Sequence, residues 1–308
     1  MSAEDRENCE LDHGTLLDDS LVVEDFIAAS GFGCVFRGRE QGTGATVAVK
    51  CLKTDYQAKA YRRRQFTHEA DVWEAVGDHP AIVRFIRRIL DGKALYLVIE
   101  YCDGGTLYDL IDDVHPNGLP PALAADTFVS LCAALDHVHH AGFAFRDLNL
   151  GNVLYCVGEG TLEAKLTDFG LACEAGDLGE RVGPADVNAP GQELFTAPEQ
   201  WCGSTAPCGD VYSLGAVGWT ILTGAALFEA PSKMLDPESE AEWYAYRAAL
   251  MKMHRRQRPR DPRELRPDIP QQIAQTILTC LEKDPRKRPT DLARLATDFA
   301  GACLDWAR

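Results

Sequence analysis

Two short segments constrain this chain more than any other feature: Phe145-Arg146-Asp147-Leu148-Asn149-Leu150-Gly151-Asn152 and Thr167-Asp168-Phe169-Gly170. They offer an Asp, an Asn five positions later, and a second Asp followed by Phe-Gly. These oxygen donors sit in two separate stretches and can act together only if the fold brings both to one place. Carboxylate and amide oxygens suit a hard cation such as magnesium. An Asp beside them suits the alignment of a hydroxyl. A phosphoryl-transfer centre requires this kind of donor set.

The background is that of a large folded unit. The 308 residues are 46% apolar, enough for a sizeable core, and show no internal repeat. Asp plus Glu outnumber Lys plus Arg 47 to 31, a net charge of -16. Such a chain is not expected to coat nucleic acid or anionic lipid, and a basic protein substrate would be attracted at long range. The 11 cysteines are scattered, odd in number and without a Cys-x-x-Cys. That pattern predicts free thiols in a reducing, intracellular and cytoplasmic setting rather than a disulfide framework or a zinc site. The Met1-Ser2-Ala3-Glu4-Asp5 start predicts neither a signal segment nor a myristoyl group, and no apolar run is long enough to span a bilayer.

Along the chain, residues 1–20 are acidic, with Arg6 as the lone counter-charge, and predict a solvated tail. Residues 21–101 are strand-rich: Leu21-Val22-Val23, Phe26-Ile27, Cys34-Val35-Phe36, Thr46 to Lys50, Ala81 to Phe85 and Ala94 to Ile99, with one helix over Ala58–Val76. Asp103-Gly104-Gly105 breaks the pattern. Helical periodicity then dominates over Pro121–His140, Asp210–Leu222, 238–257, 270–283 and Asp291–Ala300, with a long Pro- and Gly-punctuated loop over 174–192.

Taken in order, these motifs resemble a eukaryotic-type protein kinase over about residues 22–303. The resemblance implies an α+β bilobal fold over 21–305, with a small β-rich lobe to about 101 and a larger helical lobe from about 104. It implies ATP and Mg2+ as cofactors and a protein as substrate. Ile27-Ala28-Ala29-Ser30-Gly31-Phe32-Gly33-Cys34-Val35 takes the place of the Gly-rich loop over the phosphates. Val47-Ala48-Val49-Lys50 supplies the phosphate-contacting Lys50, with Glu69 as its partner and Glu74 as the alternative. Glu100-Tyr101-Cys102 is the adenine-reading hinge behind Ile99, and Leu154 with Ile27, Val35 and Ala48 lines the base. Asp147 is the implied catalytic Asp, and Asn152 and Asp168 are the implied magnesium ligands. Trp73, Phe85, Phe145 and Phe169 are expected to form an aromatic stack. Asp210 would brace the catalytic loop, and Arg288 would pair with Glu199.

The departures matter as much. Ala28 and Ser30 stand at two glycine positions, Phe145 stands for the usual His, and Asn149 stands where Ser/Thr kinases carry a Lys to the γ-phosphate. Gln192 stands where the hydroxyl partner of that Lys would be, so the two amides are candidates to pair. Loss of a transition-state cation costs roughly ten- to a thousandfold in rate, so a slow Ser/Thr kinase is expected, with an ATP-binding pseudokinase as the rival. From Leu171 to Phe195 there is no Ser, Thr or Tyr. Asp177, Glu180, Asp186 or Glu193 is therefore expected to face Arg146 in place of a phosphate. The basic run Lys252, Arg255, Arg256, Arg258, Arg260, Arg263 and Arg266 is a nuclear-localisation candidate, weighed against a solvated helix end.

Overall fold

The computed structural model describes residues 9, 11–29, 32–57, 59–92, 94–158, 160–176, 192–228 and 239–306. The N-terminal region is a six-stranded antiparallel sheet in the order β1-β2-β3-β4-β6-β5. Its strands are β1 (Leu16–Leu17), β2 (Leu21–Ala29), β3 (Gly33–Glu40), β4 (Thr46–Leu52), β5 (Phe85–Asp91) and β6 (Ala94–Glu100). Alternation drives it: in β4, Val47, Val49 and Cys51 turn one way into a cluster with Leu21, Val23, Phe36 and Val98. Helix α1 (Ala60–Val76) packs on the opposite face, burying Phe66, Ala70, Val72 and Trp73.

The C-terminal region is mainly helical, with α2 (Pro121–His140), α3 (Cys208–Thr223), α4 (Glu240–Arg256), α5 (Gln271–Cys280) and α6 (Leu292–Trp306). Between them lie β7 (Phe143–Ala144), the hairpin of β8 (Val153–Val157) and β9 (Leu162–Leu166), and β10 (Cys173–Glu174), which pairs with β7. Helix α3 is enclosed on every side, and every residue after Cys208 is buried. A Cβ at Gly218 would come within 2.6 Å of Ile277 and 2.9 Å of Phe128, so this glycine lets α2 and α5 close on α3.

Three expectations change. Residues from 11 onward are not a free tail: Leu11 and Leu17 are buried, and β1 pairs with β2, because two leucines gain more from the sheet's apolar face than the acidic residues lose. Cys9 and Cys34 form a disulfide rather than free thiols, since that packing carries Cys9 onto β3. The strand expected over Ala81–Phe85 begins at Phe85 instead, and Ala81 to Val83 cross beneath the sheet towards Leu166. Arg87 and Arg88 mask the alternation of β5. They point outward to Glu40 and to Asp71 and Glu74.

A buried polar chain links α3, α4 and the segment after α5. Lys283 donates to the Tyr212 hydroxyl at 2.9 Å, which leaves that hydroxyl to donate to His254 Nδ1 at 3.0 Å. Burial holds the His254 pKa down to about 3, with Lys283 adding to the effect. The folded state therefore refuses a proton that the unfolded state binds below its ordinary 6.5. Stability attributable to this residue is complete above that value and declines as pH falls from about 6.5 towards 3, by up to a few kcal/mol. Urea unfolding midpoints of His254→Gln are expected to depend less on pH than those of the parent between about pH 6.5 and 4. Parallel curves would refute this assignment.

Candidate active site

The cleft is built from elements far apart in sequence. Lys50 projects from β4, Glu69 from α1, Asp147 and Asn152 from the loop before β8, and Asp168 from the turn after β9. Lys50 Nζ donates to Glu69 Oε1 at 2.6 Å and to Asp168 Oδ2 at 2.9 Å. Glu74, the alternative partner, pairs with Arg88 on the outer face of α1. Asn152 Nδ2 donates to Asp147 Oδ2 at 2.9 Å and Asn149 Nδ2 to Asp147 Oδ1 at 3.0 Å. A cavity of about 480 Å³ opens between these groups, within the size range of small-molecule sites.

Two backbone strains hold the acidic loops in place. Arg146 and Asp168 have φ values of 69° and 68°, in the left-handed region that costs non-glycine residues roughly 1–3 kcal/mol. Asp210 offsets the first strain: its carboxylate accepts the Phe145 and Arg146 amides at 2.8 and 2.7 Å and faces His139 Nε2 at 2.8 Å. Gly170 N donates to Asp168 Oδ1 at 3.1 Å and steadies the second. The aromatic rings run in contact from Phe85 through Trp73 and Phe169 to Phe145, with centroids 6.1, 5.2 and 5.3 Å apart. Phe145 meets Phe169 edge-on, so an aromatic ring fills the place of the absent His.

The electrostatics follow from three carboxylates around one ammonium. Burial works against the Lys50 charge, but Asp168 and Glu69 outweigh it and raise its pKa. Burial also opposes the charge on Asp168, which Lys50 nevertheless holds below the usual carboxylate range. Burial lifts Glu69 to about 7 against the pull of Lys50. Asp147 rises to about 8 through burial and the nearby Asp168 charge, despite the two asparagine hydrogen bonds. Such an excess of buried oxygen charge fits a divalent hard cation. The donor chemistry of Asp168 and of the Asn152 amide oxygen suits Mg2+.

The nucleotide-side residues divide. Val35, Ala48, Ile99, Cys102 and Leu154 belong to one apolar cluster, but Ile27 is 40% exposed on β2 and lies outside it. Glu100 turns its carboxylate to Lys165 at 2.7 Å. Ser30 and Gly31 lie outside the described residues, as do Asp177, Glu180, Asp186, most of the loop expected over 174–192, and the side chain of Gln192. Asn149 is committed elsewhere, since its Oδ1 accepts Gly151 N at 2.9 Å. Glu193 does not face Arg146: it pairs with Arg247 at 3.3 Å, while Arg146 Nη1 donates to Cys173 Sγ at 3.8 Å. The basic run is no single patch either. Arg263 pairs with Asp261, and Arg266 binds the Leu119 and Leu222 carbonyls at 2.9 and 3.2 Å. Sequence reading passed over Phe32 and Arg62, which line the cavity with the Arg62 guanidinium 3.8 Å from the Phe32 ring centre. The signal was an arginine on the α1 face that also carries Phe66 and Glu69.

A β-rich region and a helical region meeting at a Lys-Glu pair, an Asp-Asn loop and an Asp-Phe-Gly turn define the kinase class of phosphotransferase fold. The protein kinase domain model matches residues 22–300, and the chain belongs to that family. Serine/threonine-protein kinase pkn2 of Myxococcus xanthus is 30% identical over 300 residues, covering 93% of this chain and 34% of that protein. Serine/threonine-protein kinase PknB of Mycolicibacterium smegmatis is 29% identical over 289 residues, covering 92% and 43%. The chain thus spans less than half the length of these relatives. The PknI kinase domain of Mycobacterium tuberculosis, solved as a point mutant, superposes with a TM-score of 0.66 at 22% identity, covering 97% and 99% of the two chains. Among the described residues, no helix is long and apolar enough to cross a membrane.

Proposed function

We propose that this chain transfers the γ-phosphate of ATP to Ser or Thr hydroxyls of proteins, without phosphorylation of its own activation loop. The observation that carries this reading is the placement of Lys50 between Glu69 and Asp168, at 2.6 and 2.9 Å, beside Asp147. Glu69 orients the Lys50 ammonium towards the α- and β-phosphates, and Asp147 aligns the acceptor hydroxyl and takes its proton late in transfer. Asn152 and Asp168 would hold Mg2+, which neutralises phosphate charge when bound. Gly33 with Ser30 and Gly31 would cover the phosphates. The backbone of Glu100 and Cys102 would read the adenine edge over Ile27, Val35, Ala48 and Leu154. No hydroxyl lies between Leu171 and Phe195 to receive a regulatory phosphate.

One observation favours the pseudokinase reading: Asn149 brings no cation, and its amide is spent on Asp147 and Gly151. Radiolabelled ATP transfer to basic proteins, compared with Asp168→Ala, separates the two. Label that disappears in the variant supports catalysis, whereas ATP-dependent thermal stabilisation without label supports the scaffold. Mapping of phosphate in active protein is expected to find none that switches activity, and a switch at Thr196 would overturn the regulatory part.

A further inference from the structure

The hinge carries a second cluster that the phosphotransfer reading leaves unused. Glu100 ends β6, Cys102 follows two residues later, and Cys156 lies on β8. One carboxylate oxygen and the two sulfurs all lie within 4.8 Å of one another, and Cys156 Sγ stands 4.0 Å from Glu100 Oε1. In a tetrahedral zinc centre, with Zn–S near 2.3 Å and Zn–O near 2.0–2.2 Å, neighbouring S and O ligands stand roughly 3.6 Å apart. The Cys156–Glu100 pair therefore needs to close by about 0.4 Å, and no pair of the three by more than about 1.2 Å. None of the three lines the cleft cavity.

The support is rigid. Gly104 N donates to Tyr155 O at 2.8 Å and Tyr155 N to Gly105 O at 2.9 Å, which fastens the segment just after Cys102 to the residue just before Cys156. Both Glu100 oxygens are anchored: Lys165 Nζ donates at 2.7 Å to Oε1, the oxygen that also faces Cys156 Sγ, and Arg84 N donates to Oε2 at 3.1 Å. Outer partners of this kind orient a metal-ligating carboxylate, and a simple dithiol–disulfide pair has no use for them. We propose that Glu100, Cys102 and Cys156 bind a thiophilic divalent metal of the zinc class where the hinge meets β8, with water completing the tetrahedron. Magnesium is unsuited, because two of three donors are sulfur.

Charge agrees. A dication, two thiolates, the Glu100 carboxylate and the Lys165 ammonium together are neutral, so the thiols give up two protons on binding.

The test titrates reduced, metal-free protein with Cd2+ and follows thiolate-to-cadmium ultraviolet absorption, with Zn2+ as competitor. The parent is expected to take up one equivalent that Cys156→Ser does not. Glu100→Gln is expected to weaken it at least about tenfold. Equal uptake by parent and Cys156→Ser would overturn the proposal. Should that variant fold poorly, alkylation of the parent decides. Zn2+ is expected to slow labelling of Cys102 and Cys156 but not of the exposed Cys202. Unchanged labelling of the pair would refute the site.

Discussion

Asp147→Asn is expected to lower phosphate transfer about 10²- to 10⁴-fold, the usual range for a positioned acid–base group. The variant should nevertheless melt no lower than the parent. Burial and the Asp168 charge hold the Asp147 pKa near 8, so the ionised carboxylate is carried at a cost to the fold. The folded pKa lies above the unfolded one, so the penalty is absent in acid and grows as pH rises above about 4. A neutral amide removes that penalty. It also places an NH2 against the Asn149 or Asn152 donor and so returns part of the gain. Steady-state transfer and thermal melting on the same preparations check both halves. Transfer within tenfold of the parent would remove Asp147 from the mechanism, and a markedly lower melting temperature would show that the residue is structural.

Arg288→Ala is expected to cost about 3–5 kcal/mol, the range for removing one partner of a buried pair. The Arg288 side chain has no exposed area. It donates to both carboxylate oxygens of Glu199, at 3.0 Å to Oε2, and to the Cys208 and Glu282 carbonyls at 2.7 and 2.8 Å. Truncation leaves a carboxylate and two carbonyls without their donor, in a protein whose whole stability is of order 5–15 kcal/mol. The melting temperature should fall by on the order of 10 °C. Arg288→Lys should recover little, because one ammonium cannot span the same fork of acceptors. A fall of less than about 2 °C in Arg288→Ala would contradict this account of the pair.

Several of these contacts were legible in the chain. Lys50 with Glu69, Asp210 under the catalytic loop, Arg288 with Glu199 and the four-ring stack were all implied by the resemblance to protein kinases that the motifs carry, and the structure places each set together. The periodicities also located α1 to α6, because a helix face or a strand face must repeat its apolar residues to be buried. The strand at Phe85–Asp91 was not legible, because two arginines with partners on β3 and α1 interrupt the apolar alternation.

Local rules fix the order of strands and helices and the identity of the donors in the two acidic loops. Which distant groups share one space follows from the packing of the whole chain. Arg146 turns to Cys173 while Glu193 turns to Arg247, Cys9 reaches Cys34, and Glu100, Cys102 and Cys156 meet where the hinge adjoins β8. Pairing across such separations is set by how the sheet and helices pack around a common core. Side-chain charge alone cannot distinguish one nearby partner from another until that packing fixes the distances.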